Sequence, residues 1–176
     1  MERFFRVARP ASFGWNYAKT LGQTALLWVV FLIVVPSLVT AIEGDRGFPT
    51  HRPTAVVLFV LFGSLGLWGG VAMAREGAGT PLPLDTARRL VVAGPYRWVR
   101  NPMAISAPLQ AMSMSLWHGS WSLLLYGLGG AVAWNVLIRP AEERDLAARF
   151  GEPYERYRRE VRCWVPRRAP FDPGDA

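Results

Sequence analysis

The longest uncharged stretches of this chain set what it can become. No charged side chain occurs from Thr20 to Ile42 or from Pro53 to Ala74, nor from Asn101 to Ile138 if His118 is neutral. An apolar run of about 20 residues spans the hydrocarbon core of a bilayer. Backbone N–H and C=O groups find no water there, so such a run must satisfy them internally, as a helix. The third run is too long for one crossing: as a single helix it would extend ~57 Å, nearly twice the ~30 Å hydrocarbon thickness. It must fold back, and His118-Gly119-Ser120 is the turn signal. The arms, Pro102–Trp117 and Trp121–Ile138, are short, and Trp117 and Trp121 flank the turn as interfacial aromatics do.

The expectation is an all-α integral membrane protein with about four transmembrane helices, forming one domain over residues 1–176. It comprises an interfacial arm (1–20), two crossings (20–74), a polar loop (75–102), a helical hairpin (103–138) and a helical tail (139–176). Pro36 lies inside the first crossing and is expected to kink it. Gly66 and Gly70 make a small-xxx-small pair suited to close helix packing. Met112 and Met114 read as packing or lipid-facing residues.

Lys and Arg are distributed unevenly: four in the arm, two between 43 and 53, five in 75–102 and nine from Arg139 onward. Four crossings place the arm, the 75–102 loop and the tail on one side, 18 cations against 2. The positive-inside rule makes that side cytoplasmic, with both termini there in a multi-pass protein. The net charge of +7 does not indicate nucleic acid, because the cations flank apolar runs where lipid head groups would meet them. Cys163 is the one cysteine, and His51 and His118 are the only histidines, so no zinc-type ligand set can be assembled and no metal is expected.

Three polar segments could carry chemistry. In Arg75-Glu76-Gly77-Ala78-Gly79-Thr80-Pro81-Leu82-Pro83, Gly77 and Gly79 free the backbone to turn and let a ligand approach, though a plain Gly- and Pro-rich loop reads the same way. The second, Gly94-Pro95-Tyr96-Arg97-Trp98-Val99-Arg100-Asn101-Pro102, packs cations and aromatics between two prolines. If it is helical, Arg97 and Arg100 share a face and can hold one anion, a carboxylate or a lipid phosphate. The third is the tail. Pro140 can open a helix, Glu142 and Glu143 follow the last crossing at once, and Leu146 and Phe150 continue an apolar stripe. Gly151 then stops the helix, and Tyr154, Tyr157 and Val161 share a face of the next one. Glu152 with Arg156, and Glu155 with Arg159, form i,i+4 pairs on its wet side.

Taken together, Gly77-Ala78-Gly79-Thr80-Pro81, Gly94 to Met103, and Glu142-Glu143 with Leu146, Phe150-Gly151, Tyr154 and Tyr157 resemble the isoprenylcysteine carboxyl methyltransferase and phospholipid methyltransferase family. The resemblance runs from about residue 75 to 166. It implies a membrane enzyme using S-adenosylmethionine, bound on the cytoplasmic side between the segment before the hairpin and the tail after it. It implies cofactor binding by Gly77, Gly79, Tyr96, Arg100, Asn101, Pro102, Glu142, Glu143 and Tyr154, with Glu143 and Arg97 carrying the reaction. The family often has His where Asn101 stands and Tyr where Ala104 stands, so no titrating imidazole is available here. The acceptor implied is a phospholipid amine or an isoprenoid carboxylate or thiol. Expected partners are membrane lipids and a lipophilic substrate, with no nucleic acid and no obligate protein partner. Two other functions fit the same residues: an NADPH-dependent membrane sterol or lipid reductase, and a non-catalytic lipid-binding protein.

Overall fold

The computed structural model describes residues 6–44, 47–80 and 85–174. Residues 1–5 of the expected arm, Asp45 and Arg46 of the expected turn, and Pro81 to Leu84 of the glycine-rich loop lie outside them. The described chain is helical: α1 (Phe13–Glu43), α2 (Arg52–Glu76), α3 (Pro102–His118), α4 (Trp121–Phe150) and α5 (Glu152–Glu160), with a 3₁₀ turn at Gly94–Arg97. No strand occurs among the described residues; Val7 and Thr86 make one isolated bridge.

Helix α1 begins earlier than the uncharged run. Ser12 Oγ accepts from Trp15 N at 3.3 Å and caps it, so residues 13–19 of the expected arm are helical. The charge of Lys19 does not end the helix because its ammonium pairs with Asp85. Helix α4 likewise runs through Pro140, where a new helix was expected. A π turn, Trp134–Ile138, immediately precedes that proline, and a second, Val29–Val34, precedes Pro36 in α1. Proline lacks an N–H, and its ring crowds the carbonyl four residues back. Widening the turn before it makes room, so both helices continue.

Exposure is inverted relative to a water-soluble protein. Ile42 is 87% exposed and Leu137 68%, while Asn16, Thr20, Ser106, Gln110, Ser113 and Ser115 are buried. Lipid solvates the large apolar side chains, and small or polar residues line the helix contacts. Three helices, α1, α2 and α4, are long and apolar enough to cross a membrane; α3 has 17 residues and is shorter. Gly66 and Gly70 serve two neighbours rather than one. A Cβ on Gly66 would come within 2.5 Å of Ser106 Oγ on α3, and one on Gly70 within 2.9 Å of Thr20 Cγ2 on α1. Ser106 Oγ also donates to Phe62 O at 2.7 Å, tying α3 to α2.

Successive helices run in opposite directions. At one end, the α3–α4 turn at Gly119 meets the segment between α1 and α2, Phe48 N donating to Gly119 O at 2.7 Å. At the other, the start of α1, residues 85–101 and the polar end of α4 come together, as the Lys19–Asp85 and Asn101–Glu142 contacts show.

Candidate functional site

The apolar part of α4 ends at Ile138. Its polar turns from Arg139 to Phe150 project beyond the apolar span and carry Glu142 and Glu143 toward the start of α3. Asn101 caps α3, its Oδ1 accepting from Ala104 N at 3.1 Å. Its Nδ2 is left to donate to Glu142 Oε2 at 3.3 Å. One amide therefore both starts a helix and orients an acid.

Glu143 lies between two guanidinium groups. Arg100 Nη1 donates to its Oε1 at 2.7 Å and Arg139 Nε to the same oxygen at 2.9 Å. Arg100 is fixed from the tail side as well: Nε donates to Val161 O at 2.7 Å, and Nη1 lies 3.4 Å from Tyr154 Oη. Burial pushes the Glu143 carboxyl upward, but the bonds from Arg139 and Arg100 outweigh it and hold it below the usual carboxylate range. Glu142 goes the other way. Burial first, then the neighbouring Glu143 and Asp145, push its carboxyl up to about 7, opposed by Arg100. Two adjacent acids thus have different protonation behaviour, a pattern typical of reactive sites. Burial, with Glu143 adding to it, pushes the Tyr154 hydroxyl up to about 12, so it stays a neutral donor.

These groups line one end of a cavity of about 620 Å³, within the range of small-molecule sites. Arg100, Asn101, Arg139, Glu142, Glu143 and Tyr154 line its polar end. Trp28, Phe31, Leu67, Ala107, Ala111 and Tyr126 line its apolar interior between the helices. Both π turns contribute to the wall, through Phe31 and Leu32 on α1 and Trp134 and Ile138 on α4.

Six of the residues singled out from sequence meet here: Tyr96, Arg100, Asn101, Glu142, Glu143 and Tyr154. Gly77, Gly79, Pro102 and Arg97 do not line the cavity. A Cβ on Gly77 would fall 2.7 Å from Met73 O and Val91 Cγ2, and one on Gly79 2.7 Å from Ala87 N and Thr86 O. The glycines let the loop fold tightly onto residues 85–91, which themselves form cavity wall. Pro102 is buried against Gly69. Arg97 and Arg100, expected to share an anion, have separate tasks. The segment is a single 3₁₀ turn ending before Trp98 rather than a helix, so i,i+3 geometry does not apply. Arg97 Nε donates to Phe171 O at 2.7 Å, and Phe171 N returns a bond to Arg97 O at 2.8 Å.

The tail is held by the expected apolar face. Tyr154, Tyr157, Val161 and Phe171 form one buried cluster, against which Leu146 and Phe150 pack. Tyr157 Oη donates to Tyr96 O at 2.7 Å. On the wet side the ion pairs differ from the i,i+4 expectation: Glu152 pairs with Arg159 at 2.7 Å and Glu155 with Arg158 at 3.6 Å. Among the cavity residues not foreseen, Arg139 and Arg149 brace the site. Arg139 stands four before Glu143, a spacing visible in the sequence. Arg149 donates to Thr86 Oγ1 at 3.1 Å and to Ala87 O, closing the wall between α4 and the loop; nothing local in the sequence pairs those positions.

Fold and cavity define a helical membrane protein with a charged ligand site opening into an apolar interior. The family model that matches is Phospholipid methyltransferase, over residues 52–153. That is more than half of the 176 residues, and the chain belongs to this family of membrane methyltransferases. No curated protein matches the chain.

Proposed function

We propose that this protein transfers the methyl group of S-adenosylmethionine to a nucleophilic atom of a lipophilic acceptor, a phospholipid amine or an isoprenoid carboxylate or thiol. The observation that carries this reading is one cavity lined by charged groups at one end and by apolar side chains along the helices. A polar donor and a lipid acceptor could meet in such a space, one entering from water and the other sideways between helices.

The residues present suit the donor. Arg100 and Arg139 offer positive charge to a carboxylate, and Glu142 and Tyr154 offer an acceptor and a donor for an amino group or ribose hydroxyls. When bound, S-adenosylmethionine supplies a methyl group already activated by its positively charged sulfur. The chain's own contribution is to position the pair and keep water out. Glu143 is the fixed point, charged and shared by Arg100 and Arg139. Glu142 is the better proton acceptor for an amine nucleophile, since its carboxyl titrates near neutrality. We therefore give the proton-accepting role to Glu142, where the sequence reading had named Glu143 among the residues carrying the reaction. Arg97 acts from outside the cavity, by holding the 94–101 segment against the tail.

In the same reading all four long helical segments cross the bilayer, α3 with a locally thinned or untilted span. The arm, the 77–101 loop and the tail face the cytoplasm. The test is binding of S-adenosylmethionine to the purified protein by thermal shift, with NADPH as the comparison, followed by methyl-labelled donor and membranes. Stabilisation by the methyl donor and labelled lipid are expected. Stabilisation by NADPH alone would favour a reductase, and donor binding without labelled lipid would favour a non-catalytic protein.

A further inference from the structure

Arg139 is one of the two guanidinium groups on Glu143, and its second support lies behind the cavity wall. Nε donates forward to Glu143 Oε1 at 2.9 Å, and Nη1 donates back to Asn135 Oδ1 at 2.9 Å. The same Oδ1 accepts from Trp164 Nε1 of the tail at 2.9 Å. Guanidinium and indole nitrogens can only donate, so the atom that faces both of them must be the amide oxygen. Trp134, Ile138 and Arg139 line the cavity, whereas Asn135 and Trp164 do not. Asn135 is therefore placed to hold Arg139 rather than a ligand.

One short stretch of tail braces both arginines. Arg100 is held directly: its Nε donates to Val161 O at 2.7 Å and its backbone N to Arg162 O at 3.0 Å. Arg139 is held at one remove, through Trp164 and Asn135. The Trp164 ring also meets Trp134 edge-on, with centroids 5.6 Å apart, which fixes the indole N–H beside α4. Arginine has many rotamers to lose, and each further anchor on its planar fork removes some of them. With Glu143 alone, Arg139 would swing about one bond. With Asn135 as well, it is held from four residues before and four residues after. We infer that Asn135 is a positioning residue, which, held in turn by Trp164, aims the Arg139 guanidinium at Glu143 and at the carboxylate of the methyl donor. This rests on the donor reading above.

The test is a double-mutant cycle on the full chain in detergent, read as S-adenosylmethionine affinity by calorimetry. Asn135→Leu keeps the size but removes the acceptor, and should weaken binding about tenfold, the worth of one charge-assisted hydrogen bond. Arg139→Met should weaken it about 30-fold. Because Asn135 acts through Arg139, the double variant should bind no worse than Arg139→Met alone. A residue that only stabilised the fold would multiply the two losses to about 300-fold. That result overturns the proposal, as does wild-type affinity in Asn135→Leu. Asn135→Asp keeps an oxygen before both donors and should bind within about threefold of wild type; affinity as low as that of Asn135→Leu also overturns it. Should Asn135→Leu not fold, Asn135→Ser, whose hydroxyl is too short to reach either donor, takes its place in the cycle. A wild type that binds no S-adenosylmethionine sinks the methyl-donor reading. The same cycle read by thermal unfolding then decides the positioning role: non-additive losses support it and additive losses overturn it.

Discussion

At the end of the bundle away from the cavity, the connecting segments are joined main chain to main chain. Phe48 N donates to Gly119 O, His51 N donates to Leu116 O at 2.9 Å, and Gly119 adopts φ 69° to allow it. At the cavity end, α3 and α4 are joined through side chains: Arg100 and Arg139 to Glu143, and Asn101 to Glu142. The first closure rests largely on backbone conformation, with one carboxylate added: Glu43 accepts from Ser120 Oγ and from Ser122 N. The second depends on charges that a ligand can share, and it surrounds open space. On the proposed function, the first end is scaffold and the second is site.

The largest expected effect comes from removing the centre of the charged closure. Glu143→Ala leaves Arg100 and Arg139 facing each other across a mostly buried position. It should cost about 3 kcal/mol in unfolding experiments and lower methyl transfer by about 100-fold or more. Next is Gly79→Ala, whose new methyl would press on the Ala87 backbone. About 2 kcal/mol of destabilisation is expected, with weaker donor binding in calorimetry because residues 85–91 shift. Gly119→Ala attacks the opposite end. Its positive φ alone is worth about 1–2 kcal/mol and a Cβ would stand 2.1 Å from Phe48 O, so the loss of stability should be at least that of Gly79→Ala, but donor affinity should stay at the wild-type value. Loss of donor affinity there would erase the distinction between scaffold and site.

The smallest effect on stability is the most informative about chemistry. The Glu142 carboxyl titrates higher in the folded protein than in the unfolded chain. Folding is therefore disfavoured progressively as pH rises from the ordinary carboxylate range to about 7. Glu142→Gln should raise the thermal midpoint at pH 8 by the equivalent of about 1 kcal/mol and change it little at pH 4. In wild type the rate should rise with pH and level off above about 7. The variant should lose that step; an unchanged profile would remove Glu142 from the proton path.

Much of the architecture was readable from the placement of charge. The uncharged runs located the long helices, His118-Gly119-Ser120 located the turn, and the cation distribution placed the 75–102 loop beside the tail. What could not be read depends on neighbours distant in the chain. Lys19 stays helical because of Asp85, and Pro140 stays helical because the turn before it widens. Gly77 and Gly79 suggested a ligand cradle, since glycine marks close approach without naming what approaches; here it is the chain's own loop.

The contacts between Arg97 and Phe171, and between Arg100 and residues 161–162, imply an order of assembly. Those tail residues follow every helix, so a ribosome delivering this chain into a bilayer makes the whole bundle before it makes the residues that fix Arg97 and Arg100. On the proposed function, the protein would stay inactive until then, its charged end being braced only after the helices are in place.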